Sequence, residues 1–200
     1  MKQIFTIIIL ILFSSQCLAQ SESRKDEAGK FVEEIGNKIV NIAKEKNSSD
    51  VKKREKIITV IDSVIDSDWI AHFVLGKNYK TANEEQRQRF TKLYRDFMIN
   101  TYGPKFKNYD GRKFTVNEVV EVKGFYVAKA EFLPKDSNIP IAVDFRVKDK
   151  NGKLVILDFV AEGISLIETQ RSEFNSAISQ NGMDKFLDDL AGRVKKLKAS

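Results

Sequence analysis

The chain has 200 residues, with 34 Lys and Arg against 28 Asp and Glu for a formal net charge of +6; it is 42% hydrophobic and 10% aromatic, with three Pro and one Cys. Those figures exclude a disordered tail, a collagen-like fibre, a disulfide scaffold and a polytopic membrane protein. One domain is the default at this length, and such a chain buries enough apolar surface to fold unaided.

Ile4 to Phe13 is a ten-residue apolar run broken only by Thr6, preceded by Lys2 and followed by Ser14, Ser15 and Cys17-Leu18-Ala19. Together these read as a secretory signal over residues 1–19. A membrane helix is the competing reading, but ten residues at about 1.5 Å each cover only half of a ~30 Å hydrocarbon core. Ser14-Ser15-Gln16 lacks the leucine and the small residue of a lipoprotein cleavage site at Cys17. Cleavage after Ala19 removes the only Cys and one Lys, leaving 33 basic against 28 acidic residues in a single exported domain, 20–200. A mildly basic exported domain suits acidic partners or anionic lipid headgroups, and no nucleic acid is expected there.

After the polar stretch Gln20 to Asp26, helical spacing begins: Phe31, Val32, Ile35, Ile39, Ile42 and Ala43 recur at three and four residues. Asn47-Ser48-Ser49-Asp50 offers a turn and a cap for a second apolar stripe, Ile57, Ile58, Ile61, Val64 and Ile65. Ser67-Asp68 caps a short third helix that carries Trp69, Ile70, Phe73 and Val74 and stops at Gly76. Thr81-Ala82-Asn83, ahead of Glu84, Glu85 and Gln86, starts a long fourth helix. Phe90, Leu93, Tyr94, Phe97, Met98, Thr101, Tyr102, Phe106 and Tyr109 keep its period, and Pro104 predicts a kink or break near Gly103.

From Arg112 the period falls to 2. Phe114, Val116, Glu118, Val120 and Val122 share one face of a first strand, Lys123-Gly124 turns the chain, and Phe125 to Leu133 forms a second. Ile141, Val143, Phe145 and Val147 share one face of a third, and Asn151-Gly152 is a hairpin signal leading into Lys153 to Ala161. After Gly163 the helical period returns with Ile164, Leu166, Ile167, Phe174 and Ile178, stops at Asn181-Gly182, and resumes with Met183, Phe186, Leu187 and Leu190. The expected class is α+β: a helical part over 24–110, a four-stranded antiparallel sheet over 112–161 and C-terminal helices over 164–198. About six helices wrap the sheet.

Catalytic chemistry is thin. His72 is the only imidazole and a metal site requires several ligands at fixed spacing, so it reads as a packing or surface residue. Gly163-Ile164-Ser165-Leu166-Ile167 lacks the second glycine of a hydrolase elbow, and Ser165 reads instead as a helix cap. Asp144, Arg146 and Asp158 either project into an apolar space, where a carboxyl acts as a raised-pKa base, or pair on the outer face; strand alternation favours the second. Twelve of the 14 Phe lie beyond residue 19. Rings on a long helix opposite a curved sheet line a cavity as readily as they fill a core.

Phe73 to Phe90 and Pro140 to Asp184 resemble the MlaC family of periplasmic phospholipid-binding proteins, the toluene-tolerance type. The most specific pieces are Val74-Leu75-Gly76, the set Gln86, Arg87 and Phe90, the pair Tyr102-Gly103, Val143-Asp144-Phe145, Ala161 to Leu166 and Gln180 to Asp184. The resemblance implies a fold similar to the nuclear-transport-factor type, with lipid tails between helices and sheet, and a periplasmic carrier that is not an enzyme and needs no cofactor. It implies shuttling of glycerophospholipid, in maintenance of outer-membrane asymmetry, between an MlaA-type outer-membrane lipoprotein with its porin and the MlaD-type ring of an inner-membrane ABC transporter. Pro104 departs from the family pattern.

A two-tailed lipid has roughly 30 methylenes, and at about 0.8 kcal/mol each their exposure to water costs on the order of 25 kcal/mol. A carrier therefore needs a dry apolar space, roughly 1,000 Å³, with no titrating group among the tails. The candidate lining is Trp69, Phe73, Leu75, Phe90, Leu93, Phe97, Tyr102, Phe106, Val143, Phe145, Phe159, Ile164 and Leu166. The alternative is a small-molecule enzyme, an isomerase or dehydratase, with a buried Asp in the cone, so the side of the sheet on which Asp144 and Asp158 lie separates the two readings.

Overall fold

The computed structural model describes residues 2–102, 113–134 and 137–199, with side chains from Ser23 onward. The leader expected over 1–19 and the residues Pro104, Phe106 and Tyr109 lie outside the described side chains. Helices α1 (Lys2–Ala43), α2 (Asp50–Val64), α3 (Ser67–Leu75), α4 (Asn78–Thr81) and α5 (Glu84–Tyr102) precede the strands. These are β1 (Lys113–Val122), β2 (Phe125–Leu133), β3 (Ile141–Lys150), β4 (Lys153–Ala161) and β5 (Ile164–Ser165), followed by α6 (Leu166–Asn181) and α7 (Met183–Ala199). The class is α+β, as expected.

The antiparallel sheet follows chain order, β1-β2-β3-β4-β5, and so has five strands where four were expected. Two residues are too few to show alternation. What creates β5 is the turn: Glu162 and Gly163 both take positive φ, 52° and 78°, so that Val160 and Ala161 pair with Ser165 and Ile164. The one-turn helix α4 likewise raises the helix number to seven among the described residues.

β1 corrects a face assignment. Its pairing with β2 shifts between Val116 and Glu118, which makes Asn117 a bulge. The extra residue reverses the alternation, and the face begun by Phe114 and Val116 continues through Val119, leaving Glu118 and Val122 exposed. Capping is close to expectation. Ser49 accepts from the Lys52 amide at 3.4 Å, and Asn83 and Gln86 exchange side-chain to backbone bonds at 2.9 and 3.0 Å. The third helix is capped by Asp66, one residue ahead of the expected pair, which accepts from the Trp69 amide at 3.1 Å.

The apolar residues form two main groups. Val32 and Val40 of α1 pack with Phe114, Ala128, Ala130, Phe132, Val147 and Ile156 of the sheet. A helical group gathers Val74 and Leu75 with Phe90, Phe97, Phe174, Phe186 and Leu190 from α3 and α5 to α7. The connector after α2 joins them: Val64 packs on the sheet group, Ile65 on the helical group, and Ile65 bridges Ile156 of β4. No described helix is long and apolar enough to cross a membrane.

α1 crosses β1 and β2, and Arg24, about midway along it, ties the helix to the β3–β4 hairpin by bonding Asp149 at 2.6 Å and the Gly152 carbonyl at 2.8 Å. The helix thus already holds the polar stretch expected to precede it. Gly29 faces Val119 and Gly36 faces Phe114, so α1 and β1 run in opposite directions. At Gly36 a Cβ would lie 2.2 Å from Phe114 Cδ1 and 2.6 Å from Cγ. Gly36→Ala gains up to about 1 kcal/mol in helix propensity. The clash with a ring only 7% exposed outweighs that gain, as overpacking costs about 1–3 kcal/mol. Urea unfolding is expected to show a net loss of about 1–2 kcal/mol, whereas stabilisation would mean that α1 rides free of β1.

Candidate functional site

The candidate lining residues separate into two sets. Trp69 and Phe73 stack at 5.3 Å, and Leu75 and Phe90 are fully buried in the helical group. Phe90 lies 5.5 Å from Tyr94, 6.2 Å from Phe174 and 6.1 Å from Phe186, while Phe97 lies 5.8 Å from Phe174. The rings of α5 therefore meet rings of α6 and α7, not the sheet. Leu93 is half-buried at the edge of this group, with Arg171 over Phe73 at 4.8 Å and Arg193 over Phe97 at 5.2 Å. Tyr102 hydrogen-bonds Gln170, which also accepts from Tyr94 and donates to Met98 Sδ at 3.1 Å. Burial raises both tyrosines above the usual phenol range.

Val143, Phe145, Phe159 and Ile164 come together on one face of the sheet. Strand register sets them in rows: Phe132 beside Ile141, then Ala130, Val143, Ala161 and Ile164, then Ala128, Phe145 and Phe159. Directly paired residues of antiparallel strands share a face, so the rows form one apolar surface. The Phe145 ring is 5.2 Å from Phe159 and 5.8 Å from Phe114. Alanines at 128, 130 and 161 leave room between these larger side chains. α1 packs over β1 and β2, whereas toward the outer end of β3 to β5 Val143 is only half-buried, Ile141 is 43% exposed and Ile164 65% exposed. The sequence reading missed Ile141, Ala130 and Ala161, although the alternation of β3 had already put Ile141 on the face of Val143.

Asp144, Arg146 and Asp158 lie on the opposite face, since they alternate with Val143, Phe145 and Phe159. Asp158 is 1% exposed and its carboxylate accepts from the Ser165 hydroxyl at 2.6 Å and from the amides of Phe159 at 2.8 Å and Ile167 at 3.2 Å. Arg146 approaches it at 3.3 Å and reaches on to Glu168 at 2.8 Å. Burial pushes the Asp158 carboxyl up while Ser165, the Ile167 amide and Arg146 pull it down. Ser165 accepts in turn from the Glu168 amide at 3.1 Å, so the cluster caps α6 where half-buried Leu166 begins it. The pairing with Arg146 agrees with the outer-face reading, and the depth of Asp158 is new.

His72 is exposed beside Tyr79, with ring centres 4.0 Å apart, and no cluster of metal-ligating side chains is found among the described residues. A recess of about 690 Å³ on the polar side of α1 is lined by Glu33, Glu34, Asn37, Lys38, Asn41, Ile42 and Glu45. Six of these seven lining residues are polar or charged.

Residues 33–192 match the family described as MlaC protein. The toluene tolerance protein ttg2D of Pseudomonas putida is 24% identical over 142 residues, which cover 70% of this chain and 66% of the relative. The intermembrane phospholipid transport system binding protein MlaC of Haemophilus influenzae is 22% identical over 127 residues, 62% of this chain and 59% of the relative. The chain thus spans less than two thirds of the length of these relatives. Among solved structures, the phospholipid-binding protein of Ralstonia solanacearum, in complex with a phospholipid, superposes with a TM-score of 0.76 at 18% identity, covering 86% of this chain and 98% of that one. That likeness establishes the fold, and the match over residues 33–192 establishes that this protein belongs to the MlaC family.

Proposed function

We propose that the protein binds a phospholipid and carries it through the periplasm, with the acyl tails laid on the open half of the sheet face. The observation that carries this reading is the apolar rows ending in Val143, Phe145, Phe159 and Ile164, beyond the strands β1 and β2 that α1 mainly crosses, where Val143 is half-buried and Ile164 exposed. A guest of roughly 30 methylenes gains on the order of 25 kcal/mol by leaving water completely, so each methylene covered on this apolar face contributes about 0.8 kcal/mol toward binding. Its open end lets tails enter and leave without unfolding the helical group.

Family membership and the names of the relatives support the finer reading: transfer between an MlaA-type outer-membrane lipoprotein with its porin and an MlaD-type ring of an inner-membrane ABC transporter. A carrier fits better than an isomerase or dehydratase. Asp158 is buried, but on the side away from the apolar rows, and its oxygens cap a helix where a base would need a substrate proton within reach. Native mass spectrometry of the purified protein is expected to show an adduct of phospholipid mass that organic extraction releases. A ligand-free protein that takes up no lipid from vesicles overturns the proposal.

A further inference from the structure

We propose that the end of the molecule at which the apolar rows open is a docking surface for an anionic phospholipid bilayer. This rests on the lipid-binding reading above and names the surface from which the guest is exchanged. α1 runs opposite to β1, so beyond Gly36, beside Phe114 near the start of β1, it heads for the end of the sheet where β3 begins and β4 finishes, with Val40 its last buried residue in the sheet group. The seven residues on to Ala43 rise about 10 Å further, placing the α1–α2 connection beyond the strand ends. Four of the five large apolar side chains exposed among the described residues belong to this end: Val51 at the start of α2 (66%), Ile139 (76%) and Ile141 (43%) before and in β3, and Ile164 (65%) in β5. The fifth, Val122, is at the other end.

Charge accompanies the exposed aliphatics. The segment 44–56 carries Lys44, Lys46, Lys52, Lys53, Arg54 and Lys56 against Glu45, Asp50 and Glu55. Lys53 Nζ donates to the Ala43 carbonyl at 2.9 Å and Lys56 pairs with Glu45 at 2.7 Å, which clasps the two helices together at the tip. Lys46 and Lys52 are exposed there. Glu131 and Glu162 sit near the strand ends with Lys113, so the excess of positive charge is on the helical tip. Exposed aliphatics at the same end as a lysine-rich tip match a bilayer surface, whose phosphates attract the cations and whose acyl boundary accepts Val51 and Ile164. An acidic protein partner would use the lysines but leave the scattered aliphatics without a role.

The test is co-sedimentation of the intact purified protein with phosphatidylcholine vesicles made with and without phosphatidylglycerol. Binding is expected to require the anionic lipid and to weaken as salt is added. The double variant Lys46→Glu, Lys52→Glu is expected to partition about tenfold more weakly or worse, with unfolding unchanged because both side chains are exposed. Val51→Ser, which removes the aliphatic side chain without changing the charge, is expected to weaken binding also, which a purely ionic contact would not show. Binding that ignores phosphatidylglycerol, a charge-reversed variant that binds as well as the parent, or capture by polyglutamate in place of vesicles overturns the proposal. Native mass spectrometry on the same samples separates the two readings: retained phospholipid without vesicle binding sinks only the docking surface, and loss of phospholipid from the parent protein sinks the carrier reading itself.

Discussion

Phe174→Ala is expected to cost about 3–5 kcal/mol and to lower the melting temperature by roughly 10 °C. Phe174 is fully buried and its ring lies 6.2 Å from Phe90, 6.1 Å from Tyr94, 5.8 Å from Phe97 and 5.2 Å from Phe186. Three of these contacts are edge-to-face and each adds to the area term, so truncation removes apolar burial and quadrupole contacts together. The surrounding rings are stiff and anchored on two other helices, α5 and α7. They cannot collapse into the space left behind, and the cost falls toward the upper part of the large-to-small range. Thermal and urea unfolding measure it, and a loss under about 1 kcal/mol would show that the helical group is loosely packed. The same location makes Phe97 a stability residue: a carboxylate placed there, beside Phe174 and at 7% exposure, is expected to unfold the protein before it reports on any ligand.

Much of this architecture was legible in the sequence, for reasons that also mark where legibility ended. Period and punctuation located the helices and strands, because Gly76, Lys123-Gly124, Asn151-Gly152 and Gly182 do occupy positive-φ or turn positions. Periodicity says that a residue is inward but not which neighbour it meets. The rings of α5 were read against the sheet, yet α6 and α7, some eighty residues on, close over them. A bulge at Asn117 left no compositional trace, and one inserted residue exchanged the roles of Glu118 and Val119. The candidate site divided along the same line. Val143, Phe145, Phe159 and Ile164 converged because local alternation fixes a strand face, whereas Leu75 and Phe90 became core through contacts that only the tertiary fold decides.

Val143→Asp is expected to leave the protein folded and to reduce phospholipid retention by at least about a hundredfold, equivalent to about 3 kcal/mol. In the free protein residue 143 is only half-buried, so its carboxylate keeps water and stability falls by about 1–2 kcal/mol at most. With tails lying over it, the same group loses that water, and among the described residues Arg146 and Lys129 are on the other face. Burying an unpaired carboxylate costs several kcal/mol, more than the one or two methylenes in contact can repay. Ile164→Asp, at a side chain already 65% exposed, asks the same question with still less disturbance of the fold. Circular dichroism and native mass spectrometry of both variants decide between folding and binding. If both fold and both still hold phospholipid, the tails lie elsewhere, and the half-buried rings of Trp69 and Phe73 at the edge of the helical group become the surface to alter next.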